Sequence, residues 1–289
     1  MIVMNLMGGL GNQLFQYALG RHLSIKLNRP LALDISGFAA DPLRNYRLDS
    51  FKITAQLVSP RTSSPQEKIL DRFRDPKNPL NRFFQQKYSI IRENGFPYQA
   101  EILNSPDHSY LDGYWQTEKY FKSIEEIIRT DLTLTQDLPP HLQSVAKQIQ
   151  DTNSVSIHVR RGDYASNPTT TAYHGLYSVE WYMNAIDHLQ ASISAAHFFI
   201  FSDDYEWVTA NLKLSGPFTF IKPSPDGQEA QDLFLMSLCK HNITANSSFS
   251  WWAAWLNRNS HKKVIAPSRW FVGGHSDTKD LLPQGWLAL

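Results

Sequence analysis

The sequence is short of several features that would point to particular classes of protein. Cys239 is the only cysteine among 289 residues, so no disulfide can form within the chain. The net charge is only +1, which offers none of the concentrated basic surface that nucleic-acid binding needs. The apolar residues 1–7 are too few to span a bilayer, and they lack a basic start and a cleavage site. We therefore expect a soluble, cytoplasmic protein with no nucleic-acid partner.

The run His-Val-Arg-Arg-Gly-Asp-Tyr at residues 158–164 is the most informative feature that is present. It continues a predicted strand, and because side chains alternate along a strand, His158 and Arg160 point the same way. Two neighbouring guanidinium groups need anions, and arginine is well suited to bidentate binding of phosphate. Two interpretations follow from these residues. Either Arg160 binds a phosphate group at the end of the strand, or Arg161 and Asp163 form an internal surface pair.

The first 35 residues predict a strand, a glycine turn, a helix and a second strand. The turn contains Gly-Gly-Leu-Gly-Asn-Gln at residues 8–13, and Asn-Arg-Pro at residues 28–30 ends the helix. A glycine turn that leads into a helix can present free N–H groups to an anion, but it can equally be a simple turn with an Asn cap. The glycine spacing does not match the dinucleotide-binding pattern.

The middle of the chain predicts little chemistry. We expect loops and short helices from residue 45 to 109, with weak helical patches at 70–73 and 81–88. A short strand and turn follow at residues 110–116, and then a helix from 123 towards 129. The prolines at 139 and 140 predict a connection to a second domain. We therefore divide the chain into an N-terminal α/β domain, residues 1–145, and a C-terminal Rossmann-like domain, residues 146–289.

From residue 154 onward, strands and helices alternate with short connections. This pattern predicts a parallel, doubly wound sheet, in which ligands bind beyond the carboxyl ends of the strands. The segments that fall there are rich in histidine, arginine, carboxylates and hydroxyls: residues 158–163, 202–204, 223–225, 246–248 and 267–269. Because polar groups that converge in a cleft indicate a ligand site, this arrangement favours the phosphate interpretation of Arg160.

Several blocks resemble those of the bacterial α-1,2-fucosyltransferases of glycosyltransferase family 11. They are residues 8–17, 113–116, 158–164, 201–204 and 246–252, which come in the order of that family and span almost the whole chain. The resemblance implies an α/β, GT-B-like fold, with two Rossmann-type domains whose parallel sheets face each other across a cleft. It implies that the N-terminal domain, residues 1–145, lies on the acceptor side and that the C-terminal domain, residues 146–289, binds GDP-fucose. It also implies an inverting enzyme that moves L-fucose from GDP-β-L-fucose to the 2-hydroxyl of a terminal β-galactoside.

The resemblance also assigns donor-binding residues by position. It implies that Arg160 binds the diphosphate and His158 the guanosine, and that Ser247 and Ser248 touch the phosphates. Asp232 would accept hydrogen bonds from the guanine edge, although an acid in the first turn of a helix is also common for purely structural reasons. On the N-terminal side, Asn12 and Gln13 would face the donor.

The general base is not identified by the sequence. Asp163, His174, Asp112 and Glu180 are all candidates, since each could take the proton of the acceptor hydroxyl. Asp163 lies nearest the arginine block, but a pair with Arg161 would give it an orienting role. We place Arg160, Asp163 and His174 in the catalytic set and leave the acceptor-binding residues open.

Other conspicuous residues are expected to be structural. Asp203 and Asp204 are adjacent and lack the spacing of an Asp-x-Asp metal clamp, so we expect helix capping at the end of the sheet and no metal or other cofactor. Tryptophans 251, 252 and 255 lie at helical spacing and predict core packing. Cys239 has apolar helical neighbours and is expected to be a buried thiol.

The leading hypothesis is thus a metal-independent α-1,2-fucosyltransferase whose partners are GDP-fucose and a galactose-terminated glycan, such as a lipid-linked O-antigen unit reached by peripheral membrane contact. One alternative is another GDP-sugar transferase, which modifies a different hydroxyl or a protein. A second alternative is a nucleotide-sugar-binding protein without turnover.

Overall fold

The computed structural model describes residues 1–58, 88–272 and 277–289. These residues form two units, Met1–Thr135 with Lys279–Leu281, and Gln136–Thr278 with Leu282–Leu289. The division falls before residue 140 instead of at 145, because the helix Pro140–Asp151 packs against the helix Glu229–Leu238 of the second unit. The predicted helical patches at 70–73 and 81–88 lie outside the described residues, apart from Tyr88.

The first unit begins with the predicted strand, helix and strand: β1 (Ile2–Asn5), α1 (Leu10–Leu27) and β2 (Leu31–Asp34). Gly8 has a left-handed φ of 75°, which glycine adopts without steric cost. Asn28 ends α1 in the same region, with a φ of 50°, and its N–H donates to the carbonyl of Ile25. The glycine turn is therefore confirmed, and the helix ends at Asn28 as predicted. The Asn cap considered for the turn is wrong, because the N-cap of α1 is Gly9 and no side chain caps the helix there.

The sheet of the first unit is parallel throughout its described strands. After β2 come β3 (Gln56–Val58), β4 (Ser89–Arg92) and β5 (Ser109–Asp112), and the order across the sheet is β3-β2-β1-β5-β4. A helix, α2 (Glu125–Asp131), follows. β3 and β4 were not predicted from the sequence, because both are short edge strands whose side chains are exposed or half-buried and show no apolar alternation.

The second unit alternates strands and helices as predicted. Its elements are α3 (Pro140–Asp151), β6 (Asn153–Val159), α4 (Gly162–Ser166), α5 (Pro168–His174), α6 (Val179–Gln190), β7 (Ala196–Ser202), α7 (Tyr205–Asn211), β8 (Phe218–Phe220), α8 (Glu229–Leu238), β9 (His241–Ile243), α9 (Ser248–Leu256), β10 (Val264–Ala266) and β11 (Leu287–Ala288). The described strands form a parallel sheet in the order β11-β10-β9-β6-β7-β8. The α/β fold with two parallel sheets is thus confirmed.

Proline and capping residues explain where the helices of this unit begin. Pro140 opens α3 at its first turn, where a missing N–H costs nothing, so the predicted connection is in fact a helix start. Ser178 caps α6 as predicted, since its side chain accepts a hydrogen bond from the N–H of Trp181. Asn167 caps α5 and precedes Pro168, a start signal that we overlooked.

The sheet of the second unit carries the core. Val155, Ile157 and Phe198 are completely buried and pack with Tyr182 and Ile186 of α6. On α9, the predicted packing of tryptophans is confirmed: the rings of residues 251 and 255 are parallel, with centroids 6.4 Å apart. Cys239 is buried as expected, and burial raises the pKa of its thiol. Among the helices that the structure describes, none combines the length and the apolar character needed to cross a membrane.

Candidate active site

The carboxyl ends of the strands meet at one edge of the second sheet. β6 pairs in parallel with β7, in a register that ends with Val159 opposite Ser202, and it pairs with β9 on its other side. The chain runs from β6 to β7 and β8 in one direction, and later to β9 and β10 in the other. The switch point, where ligands bind in such sheets, therefore lies between β6 and β9. The loop after β6 carries the two arginines, and the loop after β9 carries Ser247.

Each arginine of the pair has its own carboxylate in the loop after β7. Nη1 of Arg160 lies 2.8 Å from Oδ2 of Asp203, and Nε of Arg161 lies 3.1 Å from Oδ2 of Asp204. The backbone N–H of Arg161 also donates to Oδ1 of Asp203, at 2.8 Å. The predicted partner Asp163 has a side chain outside those that the structure describes. The ion pair observed for Arg161 is instead the one with Asp204.

Aromatic rings support the same two guanidinium groups. The guanidinium carbon of Arg161 lies 3.8 Å from the ring centroid of Trp207, and that of Arg160 lies 5.3 Å from the ring centroid of Tyr164. Asp204 also caps α7, since Oδ1 accepts from the N–H of Trp207 at 3.1 Å. The predicted capping role is therefore confirmed for Asp204. The contact between Arg161 and the ring of Trp207 was not predicted from the sequence. The spacing of three residues from the capping Asp204 to Trp207 could have indicated that both lie near Arg161.

His158 occupies a buried position directly before the arginines. Its side chain is 4% exposed, and its ring centroid lies 5.5 Å from that of Phe249. Burial, opposed by the charge of Asp203 and assisted by that of Arg160, lowers the pKa of His158 to about 4. The imidazole is therefore neutral at pH 7. Within the described part of the chain, Nδ1 has no hydrogen-bond partner, so the ring keeps one polar atom for a ligand.

The N-terminus of α9 faces the loop after β9. Ser247 caps this helix by accepting from the N–H of Phe249 at 3.3 Å, and Ser248 is its first residue. Asn246 holds the loop between β9 and α9 in place, because its Nδ2 donates to the carbonyls of His174 and Trp270 at 2.8 and 3.3 Å. A helix start of this kind presents N–H groups and a partial positive charge, which suit a phosphate.

Asp232 lies in the first turn of α8, as predicted, and it is engaged within its own unit. Oδ2 accepts from the backbone N–H of Ser224 at 3.0 Å, and Oδ1 accepts from the Ser224 hydroxyl at 2.8 Å. Burial raises the pKa of Asp232. Each carboxylate oxygen has a second lone pair, so the group can still accept from a ligand. Contact with guanine stays a prediction.

The two polar residues at the start of α1 have different surroundings. Gln13 is completely buried, and its amide holds the loops around it by donating to the carbonyls of Gly8 and Asn45 and accepting from the N–H of Arg47. Its side chain therefore bridges the surrounding loops, and its contact with the donor stays a prediction. Asn12 is half-buried, and its Oδ1 accepts from Nε2 of Gln116 at 2.8 Å.

The four candidate bases fall in different places. His174 is the last residue of α5, with its ring stacked 4.4 Å from that of Tyr164, so it lies beside the arginine loop. Glu180 lies on the exposed first turn of α6, where the Ser178 hydroxyl lowers the pKa of its carboxyl. Asp112 ends β5 in the first unit. The side chain of Asp163 lies outside those described, so its role stays a prediction.

Metal binding was not predicted, and the structure bears on it only in part. No group of three or more His, Cys, Asp or Glu side chains suited to a metal ion occurs in residues 1–58, 88–272 and 277–289. The carboxylates of Asp203 and Asp204, the obvious candidates, are paired with arginines. The expectation of a metal-independent reaction stays a prediction.

Comparison with known proteins agrees with this geometry. The sequence model of one protein family, described as glycosyl transferase family 11, matches residues 1–287 of this chain. An α-1,2-colitosyltransferase of Escherichia coli is 34% identical over 295 residues, which cover 100% of this chain and 98% of that protein. The O-antigen biosynthesis glycosyltransferase WbnK of Escherichia coli is 32% identical, with 98% and 99% covered. Human galactoside α-(1,2)-fucosyltransferase 1 is 29% identical over 86% of this chain and 63% of its own.

Solved structures show the same fold at low sequence identity. The α-1,6-fucosyltransferase NodZ of Bradyrhizobium, in a crystal soaked with GDP-fucose, superposes with a TM-score of 0.52 at 13% identity, covering 88% of this chain and 91% of its own. At that identity, the likeness supports the GT-B-type architecture of the chain.

Proposed function

The chain belongs to glycosyl transferase family 11, and on that premise we propose that it is an inverting α-1,2-fucosyltransferase. It would transfer L-fucose from GDP-β-L-fucose to the 2-hydroxyl of a terminal β-galactoside. The relatives named for O-antigen biosynthesis and for galactoside α-(1,2)-fucosylation support this acceptor class. A cytoplasmic location and peripheral contact with a lipid-linked glycan belong to the same proposal.

One observation carries the proposal: a guanidinium group and a capped helix start flank the switch point of the second sheet. Arg160 follows β6, and Ser247 opens α9 after β9, the strand next to β6. Together they offer a fixed positive charge and N–H donors to a pyrophosphate group. Neutral His158 and the carboxylate of Asp232 complete the polar set, as acceptors or donors for the guanosine.

The reaction asks two things of these residues. When the bond between the sugar C1 and the phosphate oxygen breaks, negative charge grows on the diphosphate, and Arg160 stabilises that charge more strongly than it stabilises the ground state. The acceptor hydroxyl oxygen attacks C1 from the opposite face, which inverts the β-linked donor to an α-linked product. Its proton passes to a base, for which Asp163 and His174 remain the candidates of the arginine loop.

A second donor is favoured by one comparison. The relative with 34% identity is named as a colitosyltransferase, and colitose is L-fucose without its 3-hydroxyl group. A site that hydrogen-bonds the 3-hydroxyl would reject the deoxy sugar strongly, since buried polar groups would lose their partner. A competition between GDP-fucose and GDP-colitose therefore decides between the two donors.

The test of the proposal uses purified protein, GDP-fucose and lactose, with product linkage determined by NMR. We expect 2′-fucosyllactose, with activity unchanged by EDTA. Arg160→Ala should lose turnover and GDP affinity while it keeps the wild-type melting temperature, and Arg160→Lys should recover only part, because lysine keeps the charge but not the bidentate geometry. A product linked at another hydroxyl, or near-normal catalysis by Arg160→Ala, would contradict the proposal.

A further inference from the structure

The first sheet has a switch point of its own. Its order, β3-β2-β1-β5-β4, means that the chain leaves β1 towards β2 and β3 and returns on the other side through β4 and β5. In parallel α/β sheets, ligands bind where the direction reverses, outside the carboxyl ends of the strands. Here that place lies between β1 and β5. It is formed by residues 6–9 after β1 and residues 113–116 after β5.

Hydrogen bonds tie these two loops together. Nε2 of Gln16 donates to the carbonyl of Gly113 at 3.0 Å, and its Oε1 accepts from the N–H of Met7 at 3.1 Å. Gln116 donates to Asn12 at 2.8 Å. The spacing of the loops is thereby fixed without a ligand, which lowers the entropy cost of binding one.

A half-buried carboxylate, that of Glu93, shapes the loop after β5. The side chain of Glu93 accepts from the N–H groups of Tyr114 and Trp115, at 2.6 and 2.8 Å. Trp115 is fully buried with a φ of 58°, a region that bulky side chains rarely adopt. A Cβ on Gly113 would lie 2.4 Å from Cβ of Glu93, so only glycine fits there. The surroundings therefore hold the loop in one strained shape, which is common at ligand sites.

The loop offers the groups that a neutral sugar needs. Tyr114 is 38% exposed, and an aromatic ring can pack against the apolar C–H face of a pyranose. Asp112 is half-buried, with Oδ1 held by Asn5 at 2.9 Å and Oδ2 3.6 Å from the exposed Arg92. A carboxylate accepts hydrogen bonds from sugar hydroxyls. Gln116 is 8% exposed, and within the described part of the chain its Oε1 has no partner.

We propose that this β1/β5 edge, formed by Asn12, Asp112, Tyr114 and Gln116 over Glu93, is the subsite for the terminal galactose of the acceptor. The inference rests on the proposed function. Tyr114 packs against the sugar face, Asp112 and Gln116 accept from its hydroxyls, and Glu93 positions the loop. The bond from Gln116 places Asn12 at this edge, which moves it from the donor set to the acceptor set.

The test compares Tyr114→Ala and Tyr114→Phe with Ile127→Ala, a control in α2 of the same unit whose side chain is also 38% exposed. Loss of the aromatic contact should raise the KM for lactose about tenfold in Tyr114→Ala. Tyr114→Phe, which keeps the aromatic ring, should recover most of this loss, and the control Ile127→Ala should stay near wild type. The Kd of GDP and the rate of donor hydrolysis without acceptor should not change in any of the three. Asp112→Asn, which can keep its bond from Asn5, should also raise the lactose KM.

The outcomes separate the subsite from the proposed function. A lactose KM that stays within about twofold of wild type in Tyr114→Ala and Asp112→Asn would overturn the subsite, and so would a parallel rise in the Kd of GDP. If wild type makes no 2′-fucosyllactose, the proposed function fails instead. The subsite is then tested by saturation-transfer NMR of lactose with GDP present. A signal that wild type shows and Tyr114→Ala loses supports it, and equal signals or none in wild type overturn it.

Discussion

Gly162→Ala is a small change for which helix propensity and the structure predict opposite results. Gly162 opens α4, and replacing glycine by alanine in a helix normally stabilises it by about 1 kcal/mol. In this protein, however, an added Cβ would lie 2.4 Å from Oδ2 and 3.0 Å from Cγ of Asp203. Gly162 does not have a left-handed φ, so backbone strain plays no part. The outcome depends on whether the carboxylate can move.

The contacts of Asp203 indicate what that movement costs. Its carboxylate accepts from the backbone N–H of Arg161 and pairs with Arg160, both at 2.8 Å. Losing a hydrogen bond to a charged acceptor costs about 1.5–3 kcal/mol. The ion pair adds less than about 1 kcal/mol, because its two side chains are 22% and 26% exposed. After the gain in helix propensity, we expect a net destabilisation of about 0.5–3 kcal/mol.

A double-mutant cycle measured by urea unfolding tests this reasoning. In the Asp203→Ala background there is no carboxylate to displace, so Gly162→Ala should be neutral or stabilising there. The reasoning is refuted if Gly162→Ala is as stable as wild type, or if it costs the same with and without Asp203.

Three further predictions concern single side chains. The pKa of His158 is about 4 in the folded protein and 6.5 ordinarily, so between pH 6.5 and 4 only the unfolded chain gains a proton there. Stability should therefore fall by up to about 3 kcal/mol over that range, and His158→Gln should flatten the fall in urea unfolding at pH 7.5 and 4.5. Gln13→Ala breaks three partly buried hydrogen bonds and should lower the free energy of unfolding by about 2–3 kcal/mol. The Kd of GDP should not change if Gln13 acts only as a structural bridge, and a weaker Kd would support its contact with the donor. Asp232→Asn should abolish the preference for GDP over inosine diphosphate in calorimetry, and a retained preference would remove Asp232 from the guanine contact.

Much of the second unit could be predicted from local signals. β7 is almost wholly buried and shows an apolar run between polar turns, and β6 is predicted by the alternation of Val155, Ile157 and Val159 with polar residues. Helix starts carry their capping residue in the sequence, as Ser178 does for α6. Since the sheet is parallel, locating the strand ends also locates the polar edge, and the arginine loop was placed correctly for that reason.

Long-range pairing could not be predicted in the same way. Asp163 is two residues from Arg161 and is its obvious partner by sequence. The observed partner, Asp204, is brought close because β6 and β7 are neighbours with Val159 opposite Ser202. Nothing near Arg161 in the chain indicates that register. The same limit applies to Gln13, whose hydrogen-bond partners include Asn45, 32 residues away.

The paired charges of the arginine loop bear on how tightly a pyrophosphate can be held. Adjacent guanidinium groups repel each other, and the loop after β7 compensates by supplying one carboxylate to each. A phosphate group that binds Arg160 therefore shares or replaces Asp203, so the electrostatic gain is a difference between two ion pairs and not the whole of one. Both guanidinium groups lie between a carboxylate and an aromatic ring, but that of Arg161 lies 3.8 Å from the ring of Trp207 whereas that of Arg160 lies 5.3 Å from the ring of Tyr164, so Arg161 is less able to turn towards a ligand. Of the two arginines, Arg160 is therefore the one that can exchange its carboxylate partner, Asp203, for a phosphate group.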